Sequence, residues 1–336
     1  MKTIKVAVLG AGSWGTALSN LLAQKGVNTY LWGRNKEFIE DLKNTRENTR
    51  YLSGVKLSPA IHFTTDLKMA LEGSDFVVAA VPSQVFRELL QNISPYFTRQ
   101  QVLVNTAKGI EEGSLLTMSG VFSQIMPEYR ANYTILSGPS HAEEVGRGIP
   151  TAIVVSGFNG ENLIRVQELF ATEYFRVYTN DDLIGVELGG SLKNIIAIAS
   201  GICTGLGLGD NTRAALITRG LIEITRIGIK LGAKKETFMG LSGLGDLFVT
   251  AGSRHSRNYK AGILIGEGKT VEETQKEIKM VVEGIRTTRA AYRLAQKVGV
   301  EMPITEALYK VLFEGLSPRE GLFGLMTRAK KEELNF

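Results

Sequence analysis

The spacing of apolar positions changes character about halfway along the chain. Up to about residue 180, short β-branched and aliphatic runs predict strands at Lys5–Gly10, Asn28–Trp32, Ile61–Thr64, Phe76–Val81, Val102–Asn105, Thr134–Ser137, Ala152–Ser156 and Phe175–Tyr178. Helical spacing fills several of the intervals. Trp14, Ala17, Leu18, Leu21 and Leu22 recur on one face until Lys25-Gly26 supplies a stop, and Ser83–Asn92 and Asn159–Ala171 are also of helix length. This alternation predicts an α/β Rossmann-type fold, a doubly wound and mostly parallel sheet whose ligands sit beyond the carboxyl ends of its strands. After Asp181-Asp182 the strand-like runs give way to helical patterns at Leu183–Ile202, Thr212–Leu231, Val271–Lys279, Ile285–Val298 and Thr305–Glu314, then a charged tail over Arg328–Glu333 that should be solvated. Two domains are expected: a sheet domain over 1–180 and an all-α C-terminal domain over 181–336.

The first predicted strand runs directly into Gly10-Ala11-Gly12-Ser13-Trp14-Gly15, a G-x-G-x-x-G loop at a strand-to-helix turn. Glycine there allows a tight turn and close approach of backbone to a pyrophosphate, and the helix that follows offers free N–H groups and the positive end of its dipole. In that context Gly10, Gly12 and Gly15 mark a dinucleotide site rather than an ordinary glycine turn. The tip of the second strand, Leu31-Trp32-Gly33-Arg34-Asn35, has no carboxylate for a ribose 2′-hydroxyl, whereas Arg34 can accept a 2′-phosphate. NADP(H) is therefore expected, with NAD(H) still open because an arginine can also stack on adenine. Other predicted strands end in Pro82-Ser83, Thr106-Ala107-Lys108-Gly109 and Gly138-Pro139-Ser140, where a ligand cleft should lie, and Lys108 is its first candidate.

Composition narrows the classes. With 336 residues and 43% hydrophobic content the chain can bury two cores, and no run approaches the roughly 20 apolar residues of a membrane span. Met1-Lys2-Thr3-Ile4-Lys5 lacks the features of a signal peptide. A single cysteine, Cys203, excludes an internal disulfide and a cysteine zinc site, and His62, His141 and His255 are isolated, so no metal is expected and a cytoplasmic location is. The net charge of +5 is dispersed without a basic block, which suits a small anionic substrate rather than nucleic acid.

Two further stretches carry candidate chemistry. The segment Gly189–Gly201 is apolar nearly all round except for Lys193, which shares a helical face with Gly189, Gly190, Ala197 and Ser200. Its charge could pair with Glu187 or Asp181, or snorkel to solvent, but an ionisable group on a buried helix also suits catalysis. Hydride arrival at a carbonyl leaves an alkoxide to be protonated, and an amine whose pKa is lowered by burial and by a second cation such as Lys108 can do so. The third cluster, Gly240–Thr250 and then Ser253–Asn258, is too glycine-rich at first for an ordinary helix start and later gathers hydroxyl, guanidinium and amide donors suited to phosphate.

Gly-Ser-Leu-Lys-Asn ending at Asn194, Gly-Leu-Gly-Asp-Leu ending at Leu247, and Ser256-Arg257-Asn258 together resemble the soluble, nicotinamide-dependent glycerol-3-phosphate dehydrogenases, over essentially the whole chain. The resemblance implies reversible hydride transfer between NAD(P)H and dihydroxyacetone phosphate, giving sn-glycerol 3-phosphate for phospholipid synthesis. It implies Lys193 as proton donor and acceptor with Asp246 beside it, and Ser256, Arg257 and Asn258 at the substrate phosphate with Thr250 close by. Lys108, Gly138 and Ser140 match substrate-cleft positions, Lys108 also touching cofactor. Ser13, Trp14, Arg34 and Ala142, and from the helical domain Arg257, Val281 and Glu283, match cofactor contacts. His141 departs from the Phe common at its position. A β-hydroxyacid or ketopantoate-type reductase is the alternative, and a homodimer is a candidate assembly.

Overall fold

A computed structural model describes residues 3–330, 332 and 333. Met1 and Lys2 of the N-terminal segment, and Lys331 of the tail expected over Arg328–Glu333, lie outside the described residues. The strands are β1 (Lys5–Leu9), β2 (Asn28–Trp32), β3 (Glu47–Asn48), β4 (Leu52–Lys56), β5 (Ile61–Thr64), β6 (Phe76–Ala79), β7 (Val102–Asn105), β8 (Tyr133–Ser137), β9 (Thr151–Gly157) and β10 (Phe175–Thr179). Between them run α1 (Ser13–Gln24), α2 (Lys36–Thr45), α3 (Leu67–Leu71), α4 (Phe86–Ile93), α5 (Met118–Ile125), α6 (Ala142–Val145) and α7 (Gly160–Phe170). After them come α8 (Leu183–Gly205), α9 (Asp210–Lys230), α10 (Asp246–Gly252), α11 (Arg257–Gly266), α12 (Val271–Ile278), α13 (Glu283–Val298), α14 (Pro303–Phe313) and α15 (Pro318–Met326).

The chain divides into two compact units: Met1–Ala107 with Met118–Leu183, and Lys108–Thr117 with Ile184–Phe336. The division is thus not a single point in sequence. The segment after β7, which chain order places in the sheet unit, packs with the helices instead, because Ile110 is fully buried among their apolar side chains.

In the first unit an eight-stranded sheet has the order β10-β9-β8-β7-β6-β1-β2-β5. Every neighbouring pair is parallel except β8 with β9. All eight of these strands coincide with apolar runs of the sequence, and the runs at β6 and β7 are buried throughout, as helix-covered parallel strands require. The small antiparallel pair β3 and β4 was not expected; its alternation is too short to register. Strand order reverses at β1, which has β2 on one side and β6 on the other, so the crevice beyond its carboxyl end is where such sheets bind ligands.

In the second unit α8 is long and apolar enough to cross a membrane by composition, yet 89% of its apolar window is buried inside the protein, which makes it a core helix. Its backbone lies directly against α11. A Cβ on Gly201 or Gly205 would fall 2.1 or 2.3 Å from the carbonyls of Tyr259 or Ile263, and one on Gly262 or Gly266 would fall 2.0 or 2.5 Å from those of Ile198 or Ile202. Two glycines four residues apart on each helix therefore fix this crossing. It sets the first turn of α11 alongside the middle of α8, where Lys193 lies.

Candidate active site

The glycine loop forms as the spacing predicts. Gly10 has φ +119°, and a Cβ there would sit 2.4 Å from the Ala80 carbonyl; one on Gly15 would sit 1.9 Å from the Gly10 carbonyl. These two glycines are required by the protein itself. Gly12 is different, since a Cβ on it would meet no protein atom within 4 Å. It caps α1 without a side-chain hydrogen bond, leaving the helix N-terminus and a side-chain-free approach to it, which fits a dinucleotide pyrophosphate. Ser13 and Trp14 begin that helix, and the Trp14 ring turns inward to within 6.5 Å of Phe175. Ala142 is the first residue of α6, which packs on α1. Arg34 is exposed just beyond β2, while its neighbour Asn35 caps α2 through a 2.8 Å bond from the Phe38 amide. After β8, Gly138 holds φ +131°, Ser140 Oγ donates to its carbonyl at 3.0 Å, and His141 occupies the N-cap of α6.

The second unit gathers the ionisable groups. Lys193 and Asp246 are 6% and 1% exposed, and Lys193 Nζ donates to Asp246 Oδ1 and, at 2.7 Å, to Thr250 Oγ1. Lys108 Nζ donates to the other carboxylate oxygen of Asp246 at 2.7 Å. One carboxylate thus bridges two ammonium groups. The pairing of Lys193 with Glu187 or Asp181 that its own stretch of sequence offered gives way to a partner 53 residues on, because Glu187 lies about 240° around the helix from it. The small residues beside Lys193 also do something other than leave open space. A Cβ on Gly189 would lie 2.7 Å from the Ser242 carbonyl, so the glycine-rich turn before α10 seats directly on α8.

That turn is a π-helical one over Leu241–Gly245, closed by Gly245 N donating to the Gly240 carbonyl at 3.1 Å. A Cβ on Gly243 would lie 2.2 Å from the Phe238 carbonyl, which explains the glycines. The wide turn delivers Asp246 as the first residue of α10, where the helix dipole also favours a carboxylate. Thr250, one turn later, completes the cluster; its own hydrogen is committed to the Asp246 carbonyl at 2.6 Å, so its lone pair faces the lysine. Thr250 lies beside the ammonium, and its spacing of four from Asp246 puts both on one face of α10.

Charge tuning follows from this packing. Burial is the largest influence on Lys193 and brings its pKa from 10.5 to about 8, with Asp246 pulling it up and Lys108 pushing it down. Burial alone opposes ionisation of Asp246, but Lys108 and Lys193 outweigh it and hold its carboxyl below the usual value.

The polar stretch after α10 is the start of a helix. Ser256 caps α11, accepting from the Tyr259 amide at 3.2 Å, and Arg257 donates to the Val281 carbonyl at 3.1 Å. Asn258 is buried; it donates to Asn194 Oδ1 at 2.9 Å and accepts from Gly284 N at 2.9 Å. Arg257, Asn258 and the segment Val281–Glu283 therefore meet, and the bond to Asn194 ties them to the residue next to Lys193. A cavity of about 280 Å³ lined by Tyr292, Gln296, Glu301, Pro303, Glu306 and Arg328 contains none of these residues. Among the described residues no cluster of His, Cys, Asp or Glu could hold a metal ion.

A glycine-looped, doubly wound unit in one chain with a helical unit that buries a carboxylate-paired lysine is the constitution of a nicotinamide-dependent dehydrogenase. Comparison with known proteins narrows this. Residues 5–162 match the family model for the NAD-dependent glycerol-3-phosphate dehydrogenase N-terminus, and residues 182–322 match that for its C-terminus. A glycerol-3-phosphate dehydrogenase (NAD(P)+) of Carboxydothermus hydrogenoformans is 81% identical over the full length of both chains. The crystal structure of glycerol-3-phosphate dehydrogenase from Coxiella burnetii superposes with a TM-score of 0.93 at 39% identity, covering 97% of this chain and 99% of that one. A ketopantoate reductase from Ralstonia eutropha, by contrast, shares only the fold, at 14% identity and a TM-score of 0.62 over 95% of this chain and 100% of its own. The chain belongs to the NAD(P)-dependent glycerol-3-phosphate dehydrogenase family.

Proposed function

We propose that the protein reduces dihydroxyacetone phosphate to sn-glycerol 3-phosphate with NAD(P)H, reversibly, and that the product feeds glycerophospholipid synthesis in the cytoplasm. The observation that carries the reading is the buried Lys193 ammonium, hydrogen-bonded to Asp246 and Thr250 and tuned to a pKa of about 8. Such a group is protonated at neutral pH yet gives up its proton readily.

A bound nicotinamide supplies or accepts the hydride at C2 of the substrate. Gly12 and the first turn of α1 would hold its pyrophosphate, Gly10, Ser13, Trp14, Gly15 and Ala142 would contact the dinucleotide, and Arg34 would take a 2′-phosphate. Lys193 donates its proton to the C2 oxygen as negative charge develops there, and the neutral amine is reprotonated from water; in the oxidative direction the amine takes the hydroxyl proton. Asp246 keeps the ammonium aimed and charged, and Lys108 stabilises the same oxyanion region. Ser256, Arg257 and Asn258 would bind the substrate phosphate, Gly138 and Ser140 would contact the substrate, and Val281 and Glu283 the cofactor. Phosphate binding remote from C2 orients the carbonyl and contributes to rate as well as affinity.

Initial rates with dihydroxyacetone phosphate, 2-ketopantoate and 3-hydroxyisobutyrate, each with the matching NADP or NAD form, test the reading. Turnover confined to the phosphorylated ketone is expected; turnover confined to a carboxylated substrate would overturn it.

A further inference from the structure

Residues 108–117 leave β7, turn back through Leu115 N to the Glu111 carbonyl at 2.9 Å, and close with a bridge between Ile110 and Thr117. Three side chains of this arm engage the helices: Lys108 on Asp246, Ile110 in the apolar core, and Glu112 paired with Arg289 of α13 at 3.5 Å. Arg289 itself sits over the Phe313 ring, its guanidinium carbon 4.2 Å from the centroid, at the end of α14. The turn also contains Leu115 at φ +61°, a conformation that side chains with a Cβ adopt reluctantly and that the surrounding contacts must hold.

We propose that Arg289 is a positioning residue for the reaction: seated on Phe313 and paired with Glu112, it fixes the arm so that Lys108 stays on Asp246. This rests on the function proposed above. A half-exposed ion pair contributes little to global stability. Its value lies in the register of an arm whose other end carries a cation beside the proton donor. The groups facing Lys193 are Asp246, Thr250 and Lys108; of these only Lys108 is mounted on the arm, so loosening Arg289 removes one cation from the surroundings of Lys193 and leaves Asp246 in place.

The test is the pH profile of dihydroxyacetone phosphate reduction by NADPH for the unaltered enzyme, Arg289→Gln, Arg289→Lys and Glu112→Gln, with melting temperature and NADPH affinity measured on each. Arg289→Gln and Glu112→Gln should each lower kcat about fivefold or more. Both should move the basic limb upward by about half a pH unit, because Lys193 loses a like charge nearby. Melting temperature and NADPH affinity should stay close to the unaltered values, and Arg289→Lys should recover most of the rate. Unchanged kcat and limb in Arg289→Gln or, if that variant does not fold, in Glu112→Gln overturn the proposal, as does a loss of rate with the limb unmoved. Absence of ketone reduction by the unaltered enzyme would instead overturn the proposed function.

Discussion

Replacing Asp246 by Asn removes the negative charge from a position 1% exposed while leaving two ammonium groups against it. With a pKa of about 8, Lys193 in the unaltered enzyme is roughly nine-tenths protonated at pH 7. Loss of an opposite charge in hydrogen-bond contact lowers the pKa of an amine by about 1–3 units, and Lys108 remains to push the same way. A fall of about two units leaves only about a tenth of Lys193 protonated at pH 7, so the reductive rate drops about tenfold from protonation alone. Removing one partner of a buried pair also costs about 3–5 kcal/mol of stability. That cost is largest at low pH, where Lys193 must be charged, and shrinks as pH rises through its lowered pKa. The assay is the pH dependence of kcat/KM for dihydroxyacetone phosphate, run beside urea unfolding at the same pH values. The basic limb should move to lower pH in Asp246→Asn. A limb that stays in place, or moves up, would refute the coupling of Asp246 to the proton donor.

Other residues give independent expectations. Gly10→Ala should destabilise the fold by about 2 kcal/mol, since φ is +119° and the Ala80 carbonyl blocks the new methyl. Gly12→Ala, whose new methyl meets no protein atom within 4 Å, should instead keep its melting temperature and lose about tenfold or more in NADPH affinity, read by fluorescence titration. Arg34→Ala should raise KM for NADPH about tenfold while leaving that for NADH nearly unchanged; equal effects on the two would show that Arg34 does not read the 2′-phosphate. Glu223 accepts from Ile304 N at 2.6 Å at the start of α14, and burial raises its pKa from 4.5 to about 7. Its protonated form therefore adds stability that is full below pH 4.5 and lost as pH rises through 7, on the order of 3 kcal/mol in all. Unfolding midpoints of Glu223→Gln, which keeps an oxygen for the Ile304 amide and gives up the charge and the second acceptor facing Thr305, should be lower but flatter across that window.

The eight sheet strands were legible because they are short β-branched or aromatic runs, buried throughout at β6 and β7 and alternating at β2, and G-x-G-x-x-G was legible because its spacing is local to one turn. The antiparallel setting of β9 was not, since a strand buried through its centre reads the same in either direction. The stretch from Gly240 to Asn258 looked like loop because glycine and serine disfavour helix, yet tertiary contact overrides that preference: the glycines seat a π-helical turn on Gly189 and Phe238, and Ser256 begins α11 as its cap. α15 escaped notice because Phe323 and Met326 face outward and blur its period, though Ser317 and Glu320 form a capping box at its start. The tail beyond it is exposed at every described residue, as its charge implies, with Arg328 pairing with Glu301 at 3.5 Å on the surface and Glu333 accepting from Arg219 through its carbonyl. The family resemblance set Asp246 beside Lys193, and the chemistry called for Lys108 as a second cation, but that one carboxylate bridges both ammonium groups was not legible. Lys108, Lys193 and Asp246 are brought together by contacts far apart in sequence, and only Ile110 in the helical core reveals why Lys108 belongs with the other two.

The proposed role of Lys193 is to move the proton in ketone reduction. Single-turnover oxidation of bound NADPH by saturating dihydroxyacetone phosphate in Lys193→Ala isolates that step, with NADPH affinity measured on the same preparation. The rate should fall about a thousandfold or more with cofactor still bound near its normal affinity. A rate within about tenfold of the unaltered enzyme would contradict it, because general acid catalysis alone is worth more than that.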